Sequence, residues 1–342
     1  MEYEVTIGIP VYNVEKYIRS TLESALAQTF SSIEILICDD CATDGSVDII
    51  RNYQQTHPRG RDIRILHHSR NMGVGPSRNR LIQEARGHYL FFMDADDLIE
   101  TDTIETLMTA MEEQQADVVY GSYDKIDRVH YTPTQPFLYD SQTFVGHDAF
   151  AMYMFSQHGK FQVSVCNCLL NLDFLRRNQL HFIDALFWED MAFTYDMAVH
   201  VERAVLLSDV TYHYLCRPNS LSNYQDREVL QRDEILNNVS TIDYLKGRCY
   251  SLREKPYISS LCYVLQVNSF YIVCFVLKFW HQIEPRMSYR KLRQIMHHPM
   301  SLWCILHFRY QRASNLLLWL IGNLPTPLLI LMVSMIRMIK KK

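Results

Sequence analysis

The chain has 342 residues, 48% of them hydrophobic and 21% charged, the balance of a globular protein with room for one large domain or two smaller ones. Its net charge of −4 hides an asymmetry: residues 1–249 carry −15, while residues 250–342 hold 13 Lys and Arg against only Glu254 and Glu284, a net of +11. The basic residues of that tail lie among Leu, Ile and Met and match no nucleic-acid motif, so nucleic acid is excluded as a partner and a membrane surface is the anionic partner expected.

In chain order, "EVTIGIPVYN" predicts a strand from Val5 to Val11. "VEKYIRSTLESALAQ" then sets Ile18, Leu22, Ala25 and Leu26 at helical spacing. "IEILICDD" is a continuous apolar run ending in two acids. "TDGSVDIIRNYQQT" opens a second helix with Asp44 or Ser46 as its cap. "DIRILHHS" is a third strand, and "GPSRNRLIQEAR" a third helix with Pro76 near its first turn. Tyr89 to Met93 form a fourth strand, "TIETLMTAMEEQ" a fourth helix, and "ADVVYGSYDKI" begins another strand. This alternation, with strands apolar throughout, predicts an α/β fold: a mainly parallel sheet flanked by helices on both faces. Residues 121–225 are less regular. There "LFWEDMAFTYDMAV" sets Glu189 and Asp190 at a helix start, and "TYHYLCRPNSLS" is a strand followed by a turn. From about residue 226 helices dominate.

Parallel sheets bind ligands beyond the carboxyl ends of their strands, where Asp39, Asp40, Asp94, Asp96 and Asp97 all fall. Crowded carboxylates repel one another, so a positive partner is expected. Mg²⁺ or Mn²⁺ suits hard oxygen ligands and normally uses one or two carboxylates plus substrate phosphates. The competing reading is a solvated cluster of helix-start acids. It accounts for Asp97, Glu100 and Asp102 better than for Asp94, which directly follows an apolar strand. Cys38 and Cys41 have the spacing of half a zinc site with no second pair, so packing is expected. His67-His68 and His297-His298 are expected at the surface or as caps. A dinucleotide-binding dehydrogenase needs a glycine fingerprint after the first strand, and none is present. Nine cysteines without a framework spacing, behind an acidic start that passes straight into a strand, predict reduced thiols and a cytoplasmic location.

Four loops in order, "IPVYN", "DDCATDGS", "NMGVGPSRN" and "MDADD", together with "ED" at 189–190 and "YLCRPNS" at 214–220, closely resemble family 2 of the nucleotide-sugar glycosyltransferases over about residues 4–225. Cys41 and Ala42 replace the family's usual Gly-Ser, and Cys216 stands where relatives often carry a basic or branched residue. The resemblance implies the GT-A (Rossmann-like) fold with a helical C-terminal extension. It implies Pro10, Tyr12, Asn13 and Asp39, with Asp40 second, at the uracil and ribose of a UDP-sugar. It makes Asp94-Ala95-Asp96 the DXD motif, with Asp94 at the ribose or a metal water and Asp96 on Mn²⁺ or Mg²⁺. Arg78 would contact the diphosphate or hold Asp94, and Arg217 would reach the departing diphosphate. Asp190 is the implied base of an inverting transfer, and Glu189 its orienting partner or an acceptor ligand. Trp188 either stacks on an acceptor sugar or packs in the core. A non-catalytic nucleotide-sugar-binding or scaffold protein on the same fold is the alternative.

The organisation expected is a catalytic domain at 1–225, with a nucleotide-sugar half at 1–120 and an acceptor half at 121–225, followed by a basic, apolar helical region at 226–342. Residues 258–280 are long enough to span a bilayer, but Ser259, Ser260, Gln266, Asn268 and Ser269 favour a buried helix. Pro325 and Pro327 break the last apolar stretch into two short helices with basic residues beside them, the pattern of a segment lying on anionic lipid. A peripheral position on the cytoplasmic face of the inner membrane follows, with a saccharide or lipid-linked acceptor. A helical homodimer interface is the other reading of the tail.

Overall fold

Continuous apolar runs give strands buried on both faces: Val5, Ile7, Ile9, Ile33, Ile35 and Ile37 expose nothing to solvent. The computed structural model describes residues 3–127, 132–133, 136–157, 161–216 and 229–339. Strands β1 Val5–Val11, β2 Ile33–Asp39, β3 Ile63–His67 and β4 Tyr89–Phe92 alternate with helices α1 Ile18–Leu26, α2 Ser46–Thr56 and α3 Val74–Glu84. Next come β5 Leu98–Ile99, α4 Thr103–Gln114, β6 Val118–Asp127, β7 Thr132–Pro133 and β8 Gln142–Val145. They are followed by α5 Ala149–Ser156, β9 Cys168–Asn171, α6 Leu172–Arg177, α7 Glu189–Ala198 and β10 Arg203–Cys216. The remainder is β11 Leu230–Gln231, α8 Arg232–Arg248, α9 Ile258–Lys278, β12 Ile283–Glu284, α10 Tyr289–Ile295, α11 Leu302–Leu306, α12 Arg312–Asn323 and α13 Thr326–Ile339.

The chain forms two compact units. The first comprises Met1–Phe150, Val163–Asp184 and Asp196–Ser220; the second comprises Ala151–Gln162, Ala185–Tyr195 and Leu221–Lys342. The first unit is built on one sheet in the order β3-β2-β1-β4-β9-β6-β10-β5, with β7 beside β6 and β8 beside β10. The four strands β3, β2, β1 and β4 are parallel, β9 runs antiparallel between β4 and β6, and β6 and β10 are parallel again. Because β2 and β4 lie on opposite sides of β1, the winding direction reverses there, which opens a crevice beyond the carboxyl ends of β1 and β4. Gly87 is required just before β4: a Cβ there would lie 2.7 Å from the Thr6 backbone nitrogen.

The second unit is a helical assembly. Helix α9 is long and apolar enough to cross a membrane by length and composition, yet half of its most apolar window is buried. Its polar residues Ser259, Gln266 and Ser269 face inward, and Gln266 donates to the Met296 carbonyl at 3.1 Å. Lys246, also buried, donates to the Ile295 and His297 carbonyls at 2.9 and 2.8 Å, satisfying the carboxyl end of α10. Burial brings the Lys246 ammonium down to about 8, against the nearby Asp243 carboxylate. The expected break between two short tail helices falls between α12 and α13, with Pro325 in the connection and Pro327 in the first turn of α13. His298 departs from the expected surface position: it is buried, its Nδ1 accepts from the Met300 N–H at 3.1 Å, and its Nε2 donates to Asn315 Oδ1 at 3.1 Å.

Candidate functional site

The loops after β1 and β2 are held together by short polar side chains. Asn13, in the left-handed region at φ 51°, accepts from the Thr43 N–H at 2.8 Å. Ser46 Oγ accepts from Val14 N–H at 2.9 Å. Asp44, one of the two capping residues expected, accepts from the Glu15 N–H and from the Ser46 N–H at the start of α2, so it ties the two loops together, with Gly45 at the N-cap position itself. Burial works to raise the Asp44 carboxyl, but the bonds from Ser46 and Glu15 outweigh it and hold the group below its ordinary value. Pro10 lies opposite Cys38 in the β1–β2 ladder, one residue before its end, and Tyr12 stands beside Asn13 with about half its surface exposed.

Two acids and two histidines meet where β2 and β3 end. The parallel register sets Asp39 opposite His67. His67 Nδ1 donates to Asp39 Oδ2 at 2.9 Å, and Ala42 N–H donates to Asp39 Oδ1 at 2.8 Å. His68 Nδ1 donates to Asp40 Oδ1 at 2.8 Å. Asp40 also accepts from the Met72 and Gly73 N–H groups at 2.7 and 2.8 Å. Gly73 takes φ 92°, a backbone that suits glycine and lets its N–H point at the carboxylate as α3 begins. His67 stays at the surface, as expected, with its ring tied to Asp39, whereas His68 is drawn inward beside Asp40. Asp39 caps the following turn, while Asp40 locks the loop after β3. Cys38 is buried 3.9 Å from His68. Burial pushes its thiol up to about 11, against the Ser77 hydroxyl, so packing is its role.

The acidic loop after β4 is fixed from three sides. Thr21 Oγ1 of α1 donates to the carbonyls of Ala95 and Asp97 at 3.0 and 2.9 Å. Arg78 of α3 donates to Asp94 Oδ1 at 3.0 Å, with its guanidinium 5.5 Å from the Phe182 ring centre. Arg78 is buried and Asp94 is one-third exposed. Tyr212 of β10 accepts from the Asp94 N–H at 3.2 Å and donates to Asp97 Oδ2 at 2.8 Å, and the Leu215 N–H donates to Asp97 Oδ1 at 2.9 Å. Asp97 is therefore not a solvated helix-start acid. It exposes 1% of its surface, and burial, followed by the charges of Asp94 and Asp96, drives its carboxyl well above its ordinary value. Glu100 accepts from His213 at 2.9 Å, and only Asp102 stands at the helix start, without a side-chain cap bond.

Asp94 and Asp96 are left as the acids partly open to solvent on this loop, with Ala95 buried between them. No group of three His, Cys, Asp or Glu converges as a metal cage among the described residues. Two carboxylates suit a Mg²⁺ or Mn²⁺ whose remaining positions are filled by water and phosphate, so the donor set fits such an ion.

Trp188, Glu189 and Asp190 belong to the second unit. Trp188 precedes α7 with a left-handed backbone at φ 62°, an uncommon state for a bulky residue. Its half-buried indole lines an apolar cavity of about 340 Å³ with Ile235, Tyr271, Ile272 and Phe275 of α8 and α9. Glu189 is buried in the first turn of α7, and Asp190, half-buried, accepts from the Met191 N–H at 2.7 Å. Arg217 lies outside the described residues. Sequence reasoning does not single out Thr21, Phe182 or Tyr212, and it reads His67 and His68 as surface or capping residues; the pairing of Asp39 with His67 emerges only from the β2–β3 register.

Residues 6–173 match the model of Glycosyl transferase family 2. The chain is 39% identical over 121 residues to Glycosyltransferase GlyA of Streptococcus pneumoniae, a match spanning 35% of this chain and only 17% of that relative. It is 27% identical over 301 residues to Glycosyltransferase GlyG of the same organism, covering 82% of this chain and 97% of that protein. The crystal structure of S. aureus TarS 1-349 in complex with UDP-GlcNAc superposes with a TM-score of 0.65 at 17% identity, covering 94% and 90% of the two chains, which establishes a shared GT-A-like fold.

Proposed function

The chain carries a family 2 glycosyltransferase domain over residues 6–173, and from that premise we propose that it moves a sugar, with inversion, from a UDP-sugar to a hydroxyl of a saccharide or lipid-linked oligosaccharide in surface-polysaccharide synthesis. The reading rests chiefly on one observation. Asp39, Asp40, Asp94 and Asp96 share the carboxyl edge of parallel strands at a winding reversal, and Arg78 is already committed to Asp94.

Residues 1–120 form the donor half in this reading. Asp39 is the better acceptor for the uracil N3–H. Each of its oxygens takes one bond among the described residues, whereas Asp40 takes three bonds and has less capacity left. Pro10, Tyr12 and Asn13 shape the base and ribose pocket. Asp94 serves the ribose or a metal-bound water, Asp96 holds the ion, and Arg78 acts by orienting Asp94. Bound there, Mn²⁺ or Mg²⁺ would supply positive charge to the diphosphate leaving group. The acceptor is met by 121–225, where Asp190 takes the hydroxyl proton as the oxygen attacks C1 and the bond from C1 to the UDP oxygen breaks. Glu189 orients Asp190, Trp188 stacks on the acceptor ring, and Arg217 meets the departing diphosphate. The cytoplasm, where nucleotide sugars are made, is the compartment this chemistry requires.

Calorimetry of UDP binding with and without Mn²⁺, on the wild type and Asp96→Ala, tests the reading. Metal-dependent binding that Asp96→Ala abolishes supports it. No binding by folded wild-type protein under either condition defeats it. UDP binding without sugar transfer, and without any change on Asp190→Asn, would instead favour the scaffold alternative.

A further inference from the structure

Helices α12 and α13 are apolar on both faces. Residues 313–336 contain no charged side chain. The inward face of α12 carries its buried polar residue, Asn315, which donates to the Ser259 carbonyl at 2.9 Å and accepts from His298. Gly322 faces inward as well; a Cβ there would lie 2.3 Å from the Met296 carbonyl oxygen. The outward positions include four leucines beside the exposed Asn323. Leu317 and Leu320 on α12, and Leu328 and Leu331 on α13, each leave half or more of their surface exposed, while Leu329 and Val333 fill the inner side. Just before them on α11, Trp303 is 70% exposed and Leu306 about half exposed.

A water-facing helix carries its leucines inward and its amides outward. Here Leu318 and Ile321 of α12 and Leu329 and Val333 of α13 do face inward, yet leucines cover the outer side as well, and an apolar patch of this extent marks a surface meant to be covered. Charge selects what covers it. Arg309 and Arg312 precede the patch, and Arg337 and Lys340 to Lys342 follow it in sequence, within a segment of net charge +11. A two-fold contact with a second copy would bring these like charges together, whereas an anionic lipid surface would attract them.

We propose that the outward face of α11, α12 and α13 docks on an anionic bilayer surface, with Leu317, Leu320, Leu328, Leu331 and Trp303 entering the headgroup–acyl boundary. Neither α12 nor α13 has the length of a span, so the mode is interfacial. The docking stands independently of the nucleotide-sugar reading, because UDP binding is measured separately.

The test is flotation of the full chain with phosphatidylcholine vesicles and with mixed phosphatidylglycerol–phosphatidylcholine vesicles. The wild type should partition onto the mixed vesicles on the order of tenfold more than onto phosphatidylcholine alone, and less so as salt rises. Leu317→Glu/Leu320→Glu, both at exposed positions, should remain in solution with an unchanged melting temperature and unchanged UDP affinity. Equal partition onto both vesicle types overturns the charge argument. Failure of the folded wild type to float, with a concentration-dependent dimer that the double variant abolishes, overturns the docking and assigns the face to a second copy. If the double variant melts early, the single variant Leu331→Glu, on the other helix, replaces it.

Discussion

Arg78 donates to Asp94 over 3.0 Å, so the acidic loop after β4 already contains its positive partner. The guanidinium is buried against Phe182, and its charge faces one carboxylate of the three acids Asp94, Asp96 and Asp97. Arg78→Met should remove a charge-assisted hydrogen bond and destabilise the fold by about 1.5–3 kcal/mol. It should also weaken metal-dependent UDP binding by roughly tenfold, because Asp94 loses its orientation. The double-mutant cycle with Asp94→Asn is the check: a coupling of about 1 kcal/mol or more is expected, and strictly additive losses would refute the partnership.

Asp39 and Asp40 are adjacent but should separate by assay. Asp40→Ala leaves the Met72 and Gly73 N–H groups and His68 without their acceptor, and should cost about 3 kcal/mol in unfolding free energy. Asp39→Ala should cost less stability and more UDP affinity. Denaturant titration and calorimetry on the two variants read this out, and a reversed order would exchange the two assignments.

The parallel half of the sheet was legible because each strand is an apolar run that ends in polar residues on one edge. The partners of the acids were not, because they depend on which strands are neighbours. His67 meets Asp39 only once β3 pairs with β2 in register, and Tyr212 reaches Asp94 and Asp97 from more than a hundred residues away. Nor does spacing reveal which of three consecutive-looking acids turns inward. Asp97 has the sequence position of a helix-start residue and the environment of a core one. The outward leucines of α12 were hidden for a related reason: in a stretch that is apolar all round, periodicity does not say which leucines face out.

Thr21 should act as a positioning residue for the DXD loop although it lies on α1. Its hydroxyl is the donor for two buried carbonyls, those of Ala95 and Asp97. Thr21→Val keeps the shape and removes the donor, at a cost of about 1–3 kcal/mol. Thr21→Ser should restore most of the stability and of the metal-dependent UDP affinity. A purely packing role predicts the opposite ranking, with Val tolerated and Ser harmful.

His298 should make the second unit acid-sensitive. Burial holds its pKa down at about 4, outweighing the Asn315 amide oxygen and the Met300 carbonyl, which favour the charged ring, while an unfolded histidine titrates near its ordinary value of 6.5. Lys246 and His297 add positive charge nearby in the same direction. The sign follows from proton counting. Above about pH 7 neither state binds the proton, and His298 contributes no pH dependence. Between 6.5 and 4 the unfolded chain takes up a proton that the folded chain refuses, so stability falls as pH falls. Below 4 both states are protonated and the loss is complete, on the order of 3 kcal/mol. Denaturant unfolding from pH 7 to pH 4 on the wild type and His298→Gln isolates this effect from the carboxylates, which titrate in both proteins. The variant should be less stable at pH 7, because the Asn315 and Met300 bonds are disturbed, and the gap should close as the pH falls. Two curves that stay parallel throughout would mean that His298 binds its proton equally well in both states.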